Sequence, residues 1–207
     1  MDSLHERAEA AEAAEDLQLA FELWKELAER EDGSNSLLRY GSLAKRLEKW
    51  DEAEIAFSEA LRRSPGSTLI LECIGDLWAR RADKDTPESF EIAKQWFQKA
   101  LENGRSARLL NRLGATYRAL GDITKARDAF EQAIELDPRY EEALYNLALI
   151  EEEVDAQKTV ELLERAIEID SDYGLAHHEL GGVYEGLKDL TRAEYHFRRS
   201  IEIDPGD

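Results

Sequence analysis

An all-α solenoid of antiparallel helix pairs is the fold class this sequence predicts, and three observations predict it. One pattern of apolar and small residues recurs about every 34 residues from end to end. A column of glycines falls at the same place in that pattern, inside segments that otherwise read as helix. Acidic residues and prolines punctuate the pattern where helices must start and stop.

The units run 1–33, 34–67, 68–106, 107–140, 141–173 and 174–207. The fourth is the clearest, with Leu110, Leu113-Gly114 and Tyr117 followed by Gly121-Asp122, Ala126, Phe130, Ala133 and Pro138. The sixth repeats it with Leu180-Gly181, Tyr184, Ala193, Phe197 and Pro205, and the second with Tyr40-Gly41, Ala44, Ala53, Phe57, Ala60 and Pro65. Each unit reads as two amphipathic helices, broken near Gly121-Asp122 or Lys188-Asp189. Asp122 and Asp189 are the expected N-caps of the second helix, and Pro65, Pro138 and Pro205 mark its end.

Gly41, Gly75, Gly114 and Gly181 each cost roughly 1 kcal/mol of helix propensity relative to Ala. Recurrence at that cost implies a packing reason, a close approach of the first helix to its partner, near the short end of the usual range of about 8–10 Å. The partner helix is small at matching places (Ala53, Ala93, Ala126, Ala193) and carries Phe57, Phe97, Phe130 and Phe197 beside them. Burying each ring contributes roughly 1.5–3 kcal/mol, enough to offset the glycine.

Departures are confined to particular units. The first lacks the glycine and has Ala8, Ala11, Ala20, Trp24 and Leu27, which suits a divergent capping repeat. The third is longer around 81–85, and Thr86-Pro87-Glu88 reads as an N-cap followed by proline at the first helical position. The fifth is one residue short and has Glu151 where others have Trp78, Tyr117 or Tyr184; His177 replaces a leucine in the sixth.

These residues resemble the tetratricopeptide repeat family, in six tandem copies spread over essentially the whole chain. The resemblance implies a right-handed superhelical solenoid whose first helices line a concave groove for extended peptides or partner helices. Carried over helix by helix, the lining is Arg39, Ser42 and Arg46 in the second unit, and Glu72, Cys73, Asp76 and Arg80 in the third. The fourth offers Arg108, Asn111, Arg112 and Arg118, the fifth Tyr145, Asn146 and Leu149, and the sixth His178, Glu179 and Glu185. Arg39 and Arg46 share a helix face, as do Arg108 and Arg112. Arginine forks suit carboxylates, and Asn111 or Asn146 suits a peptide backbone. The expected ligand is therefore a segment bearing Asp, Glu or a terminal carboxylate; the opposing expectation pairs these arginines with the chain's own acids. The sub-family that grips chaperone C-termini has Lys and Asn where this chain has Leu38, Ser42 and Cys73, so that binding is not expected.

Composition narrows the partner. The net charge is −19, distributed as −8 over 1–33, −9 over 141–173 and −3 over 174–207, with +1 over the three units between. That argues against nucleic acid or an anionic membrane as partner. No apolar run is long enough to span a membrane, Met1–Arg7 lacks a signal core, and Cys73 is alone; together these favour the cytoplasm. No phosphate loop, H-E-x-x-H or paired C-x-x-C occurs, so no catalytic residue, metal or cofactor is expected. His177 and His178 point about 100° apart on a helix and read, with His5 and His196, as surface or groove residues.

The leading expectation is a protein–protein interaction scaffold. The alternative is a regulatory or targeting part of a larger enzyme or regulator, since the chain stops at Asp207 without a further capping helix. Leu190, Tyr195, Ile201 and Ile203 on that last edge are candidates for self-association. An RNA-binding helical repeat is a third reading, against which the acidic balance counts.

Overall fold

The computed structural model describes residues 3–82, 87–152 and 154–206. Helices account for the repeat in each of two compact units, Met1–Arg105 and Ser106–Asp207. In the first unit lie α1 (Leu4–Ala13), α2 (Leu17–Arg30), α3 (Ser34–Arg46), α4 (Trp50–Arg63), α5 (Thr68–Arg81) and α6 (Pro87–Asn103). In the second lie α7 (Ala107–Ala119), α8 (Ile123–Leu136), α9 (Glu141–Glu151), α10 (Ala156–Ile169), α11 (Gly174–Gly186) and α12 (Leu190–Ile203). Among the described residues no strand is present. The fold is all-α, built from tetratricopeptide-like helix pairs.

Each odd helix packs on the even helix that follows it, and each even helix packs on the next odd one within its unit. Odd helices also touch one another, α3 with α5 and α7 with α9, so first helices lie side by side. Local chemistry sets the ends. Asp16, Asp122, Asp155 and Asp189 each cap an even helix by accepting from backbone N–H groups in its first turn. Pro65, Pro138 and Pro205 each follow two residues after α4, α8 and α12 end. The expected cap Thr86 and the added residues 83–85 lie outside the described residues.

The three-residue link between paired helices has one geometry four times over. Its middle residue is left-handed, with φ 55° at Glu15, 57° at Glu48, 79° at Gly121 and 66° at Lys188. The next N–H then reaches back five residues: Asp16 to Ala11 O at 3.0 Å, and Lys49 to Ala44 O, Asp122 to Tyr117 O and Asp189 to Tyr184 O, each at 2.9 Å. This closes the last turn of the first helix. Only Gly121 adopts the conformation without a Cβ penalty.

The glycine column has a definite purpose. A Cβ built on Gly41, Gly75, Gly114 or Gly181 would lie 2.7, 2.5, 2.6 or 2.8 Å from a ring carbon of Phe57, Phe97, Phe130 or Phe197, respectively. The missing methyl thus makes room for the edge of one aromatic ring per repeat. Phe57, Phe97 and Phe130 are fully buried, as are Ala53, Ala93 and Ala126 beside them. The fifth unit solves the same problem with Ala148 and Leu163, both buried, in place of glycine and phenylalanine. In the first unit Ala8 and Trp24 occupy those positions, and the Trp24 indole N–H is buried with no hydrogen-bond partner among the described residues.

Glu151 explains the missing aromatic of the fifth unit. Its buried carboxylate accepts from Arg127 Nε at 2.8 Å and Lys158 Nζ at 3.0 Å, so an ion-paired cluster joins α8, α9 and α10 where other units place a ring. The histidine expectation needs correction: His177 is buried, not on the surface. Its Nδ1 lies 2.9 Å from His196 Nδ1, and the His196 ring stacks on Tyr184. Leucine's place in the core is thus taken by an imidazole that finds its polar partner on α12. Leu190, Tyr195 and Ile201 of α12 are largely exposed.

Candidate functional site

In the first unit the expected groove arginines divide by partner. Arg39 donates to Glu12 Oε2 at 3.1 Å, and its guanidinium sits 5.8 Å from the Trp24 ring centroid, while its side chain stays about half exposed. Arg46 near the end of α3 and Arg80 near the end of α5 are exposed and make no ion pair among the described residues. Asp76 is engaged with Lys45 at 3.3 Å, both groups mostly shielded from water, and Glu72 is buried. Arg39, Arg46 and Arg80 are thus all exposed, Arg39 within a surface ion pair that holds it weakly.

The compact unit Ser106–Asp207 brings its expected residues together. Asn111 on α7 is buried, and its Oδ1 accepts from Asn146 Nδ2 on α9 at 3.0 Å. Asn111 Nδ2 donates to Glu142 Oε2 at 3.3 Å, and the Tyr140 hydroxyl donates to the same oxygen at 2.7 Å. Two side chains 35 residues apart in sequence thus form one polar ladder across adjacent first helices. Arg108 is exposed and Arg112 half-buried on the same α7 helix. Burial, followed by the hydrogen bond to Glu142, holds the Tyr140 phenol well above its ordinary range, while Arg112 acts in the opposite sense.

Next to the ladder a cavity of about 390 Å³ is lined by Glu141, Glu142, Tyr145, Asn146, Asp170, Tyr173 and Leu175. The Tyr145 and Tyr173 rings pack with centroids 5.3 Å apart, tilted by 52°. Burial raises both phenols above their ordinary values. Tyr145 and Asn146 were expected from the sequence; Glu141, Glu142, Asp170, Tyr173 and Leu175 were not. One signal for Tyr173 was present, because it closes the fifth unit as Tyr140 closes the fourth. Asp170 and Tyr173 flank the turn from α10 into α11, and the repeat pattern does not say that this turn faces α9.

Among the described residues no group of His, Cys, Asp and Glu could hold a metal ion, and no helix is long and apolar enough to cross a membrane.

Comparison with known proteins accords with this architecture. The tetratricopeptide repeat family is matched at residues 107–140 and again at 175–207. Superkiller protein 3 of Schizosaccharomyces pombe is 32% identical over 103 residues, 46% of this chain but 7% of that protein, so the chain spans a small fraction of this relative. Among solved structures, MamA superposes with a TM-score of 0.64 at 22% identity, covering 83% of this chain and 92% of MamA. YrrB, described as a TPR protein with an unusual peptide-binding site, superposes with a TM-score of 0.60 at 18% identity, covering 88% and 93% of the two chains. At these identities the structural likeness speaks for the fold alone. Matched repeats, the glycine–phenylalanine packing and the shared fold lead to one assignment: the chain is a tetratricopeptide repeat protein.

Proposed function

We propose that this chain is a non-enzymatic interaction scaffold that binds an extended or helical protein segment along its first helices. The observation that carries this reading is the Asn111–Asn146 ladder beside the cavity of Tyr145 and Tyr173. After its bond to Asn111, Asn146 retains a carbonyl oxygen and one N–H, the pair a peptide group needs. Tyrosines offer apolar area with a polar tip, a composition suited to recognition surfaces. The peptide-binding site named for YrrB lends support by analogy of fold.

Charge preference enters within each compact unit by itself, through Arg46 and Arg80 in Met1–Arg105 and through Arg108 and Arg112 in Ser106–Asp207, all of which favour carboxylates on a bound segment. The test is affinity capture with three proteins of equal helicity: the native chain, Tyr145→Ala/Asn146→Ala, and Arg46→Ala/Arg80→Ala. Partners lost with the tyrosine–asparagine variant are expected. Equal retention by all three overturns the reading and points to other faces.

A further inference from the structure

The cavity between α9 and the start of α11 has an electrostatic property that the groove reading does not use. Glu141, Glu142 and Asp170 all line it, and none of the three forms an ion pair among the described residues. This sets them apart from two acids close by. Asp172, two residues on, holds Arg199 at 2.8 Å, and Glu151 at the other end of α9 holds Arg127 and Lys158. Glu142 places one oxygen on Tyr140 and Asn111, and Asp170 Oδ1 accepts from the Asp172 N–H at 3.0 Å; among the described residues Glu142 Oε1 and Asp170 Oδ2 have no hydrogen bond. No lysine or arginine lines the cavity. The carboxylates do not chelate, since no metal-holding group occurs among the described residues.

We propose that this cavity seats a cationic side chain, lysine or arginine, of the bound protein segment. The inference rests on the segment-binding reading above and names the anchor that the second unit selects. Charge complementarity carries it: three carboxylates, two of them exposed and none with an ion pair among the described residues, border a space lined by two tyrosine rings. An ammonium or guanidinium group placed there gains attraction from the carboxylates and from the ring faces together. The volume lies in the lower range of small-ligand pockets, which suits one long side chain rather than a helix. The field is already felt inside the protein. After burial, the charges of Tyr145, Glu142 and Glu141 add to what raises the Tyr173 phenol. Arg112 at Tyr140 and Arg118 at Tyr145 act in the opposite sense, and neither lines the cavity. An anionic side chain would meet uncompensated repulsion, and a neutral one would leave the carboxylates as they are.

The test uses the full chain and a host peptide, Gly-Ser-Leu-Xaa-Leu-Ser-Gly, with Xaa as Arg, Lys, citrulline or Glu. Binding is followed by the ring NMR signals of Tyr145 and Tyr173 at low salt. The Arg and Lys peptides are expected to bind about tenfold more tightly than the citrulline peptide, and the margin to shrink as salt rises. Glu142→Gln/Asp170→Asn should erase that margin between the cationic peptides and the citrulline peptide. Glu141→Gln, at a residue whose side chain makes no hydrogen bond among the described residues, provides a second reading if the double variant loses helicity. Equal binding of the Arg and citrulline peptides, or tighter binding of the Glu peptide, overturns the cation assignment and leaves the segment-binding reading intact. No response of either tyrosine to any peptide overturns both.

Discussion

Replacing Gly114 with alanine tests the packing rule that organises every repeat. An added Cβ would lie 2.6, 2.7 and 3.0 Å from Cε1, Cδ1 and Cζ of Phe130. Carbon atoms prefer about 3.5–4.0 Å, so three ring atoms would be overlapped by up to about 1 Å. Phe130 is fully buried, so its ring cannot swing into solvent. Overpacking of this kind costs about 1–3 kcal/mol, while exchanging glycine for alanine within a helix returns about 1 kcal/mol. With contacts this short the upper part of the range applies, and the expected net loss is about 1–2 kcal/mol. The fifth unit supplies the remedy, since it carries Ala148 and Leu163 at the corresponding places. Gly114→Ala/Phe130→Leu should therefore cost at least about 1 kcal/mol less than the sum of its single variants. All four tryptophans lie in the compact unit Met1–Arg105, so intrinsic fluorescence does not read this site. Native-state amide exchange of α7 and α8 does, with a tenfold loss of protection for each 1.4 kcal/mol or so. Additivity within about 0.5 kcal/mol, or a neutral Gly114→Ala, would refute the reasoning.

Other consequences can be checked in the same way. Glu48→Gly and Lys188→Gly each relieve a left-handed residue and should stabilise by about 0.5–1 kcal/mol, whereas Gly121→Ala should destabilise by a similar amount; urea unfolding followed by circular dichroism reads all three. Glu151→Ala leaves Arg127 and Lys158 without their shared acceptor and opens a gap between α8 and α10. It should cost about 1–3 kcal/mol and raise exchange in α9 and α10. The His177–His196 pair predicts a pH dependence. Burial pushes both imidazoles below their ordinary values, and their proximity lowers His196 further; Arg199 and Arg192 add to the depression, while Asp172 and Glu164 oppose it. The unfolded chain therefore binds protons first, so stability is present at pH 7 and falls as pH drops below about 6.5. Amide protection factors of α11 and α12, taken relative to intrinsic exchange at each pH, should fall in that window, and His177→Leu should flatten the change. A slope unchanged by that substitution would remove the histidines as its cause.

By itself the sequence determined the helix pairs, their caps and their terminating prolines, because these depend on residues within a few positions of one another. Asp122, Asp189 and Pro138 act locally and could be read locally. The glycine and phenylalanine columns were equally legible as a recurrence, yet only the structure showed that each ring edge fills the space of a missing methyl. The site was legible in part. Asn111, Tyr145 and Asn146 follow from position in the repeat, but their hydrogen-bonded ladder depends on two helices 35 residues apart settling side by side. The fate of the charges was not legible at all. Arg39 binds Glu12, Lys45 binds Asp76, and Glu151 gathers Arg127 and Lys158, while Arg46, Arg80, Glu141 and Asp170 form no ion pair among the described residues. A sequence fixes how many charges a chain carries. Which of them neutralise one another is decided by distance, and distance across repeats exists only after the helices have packed.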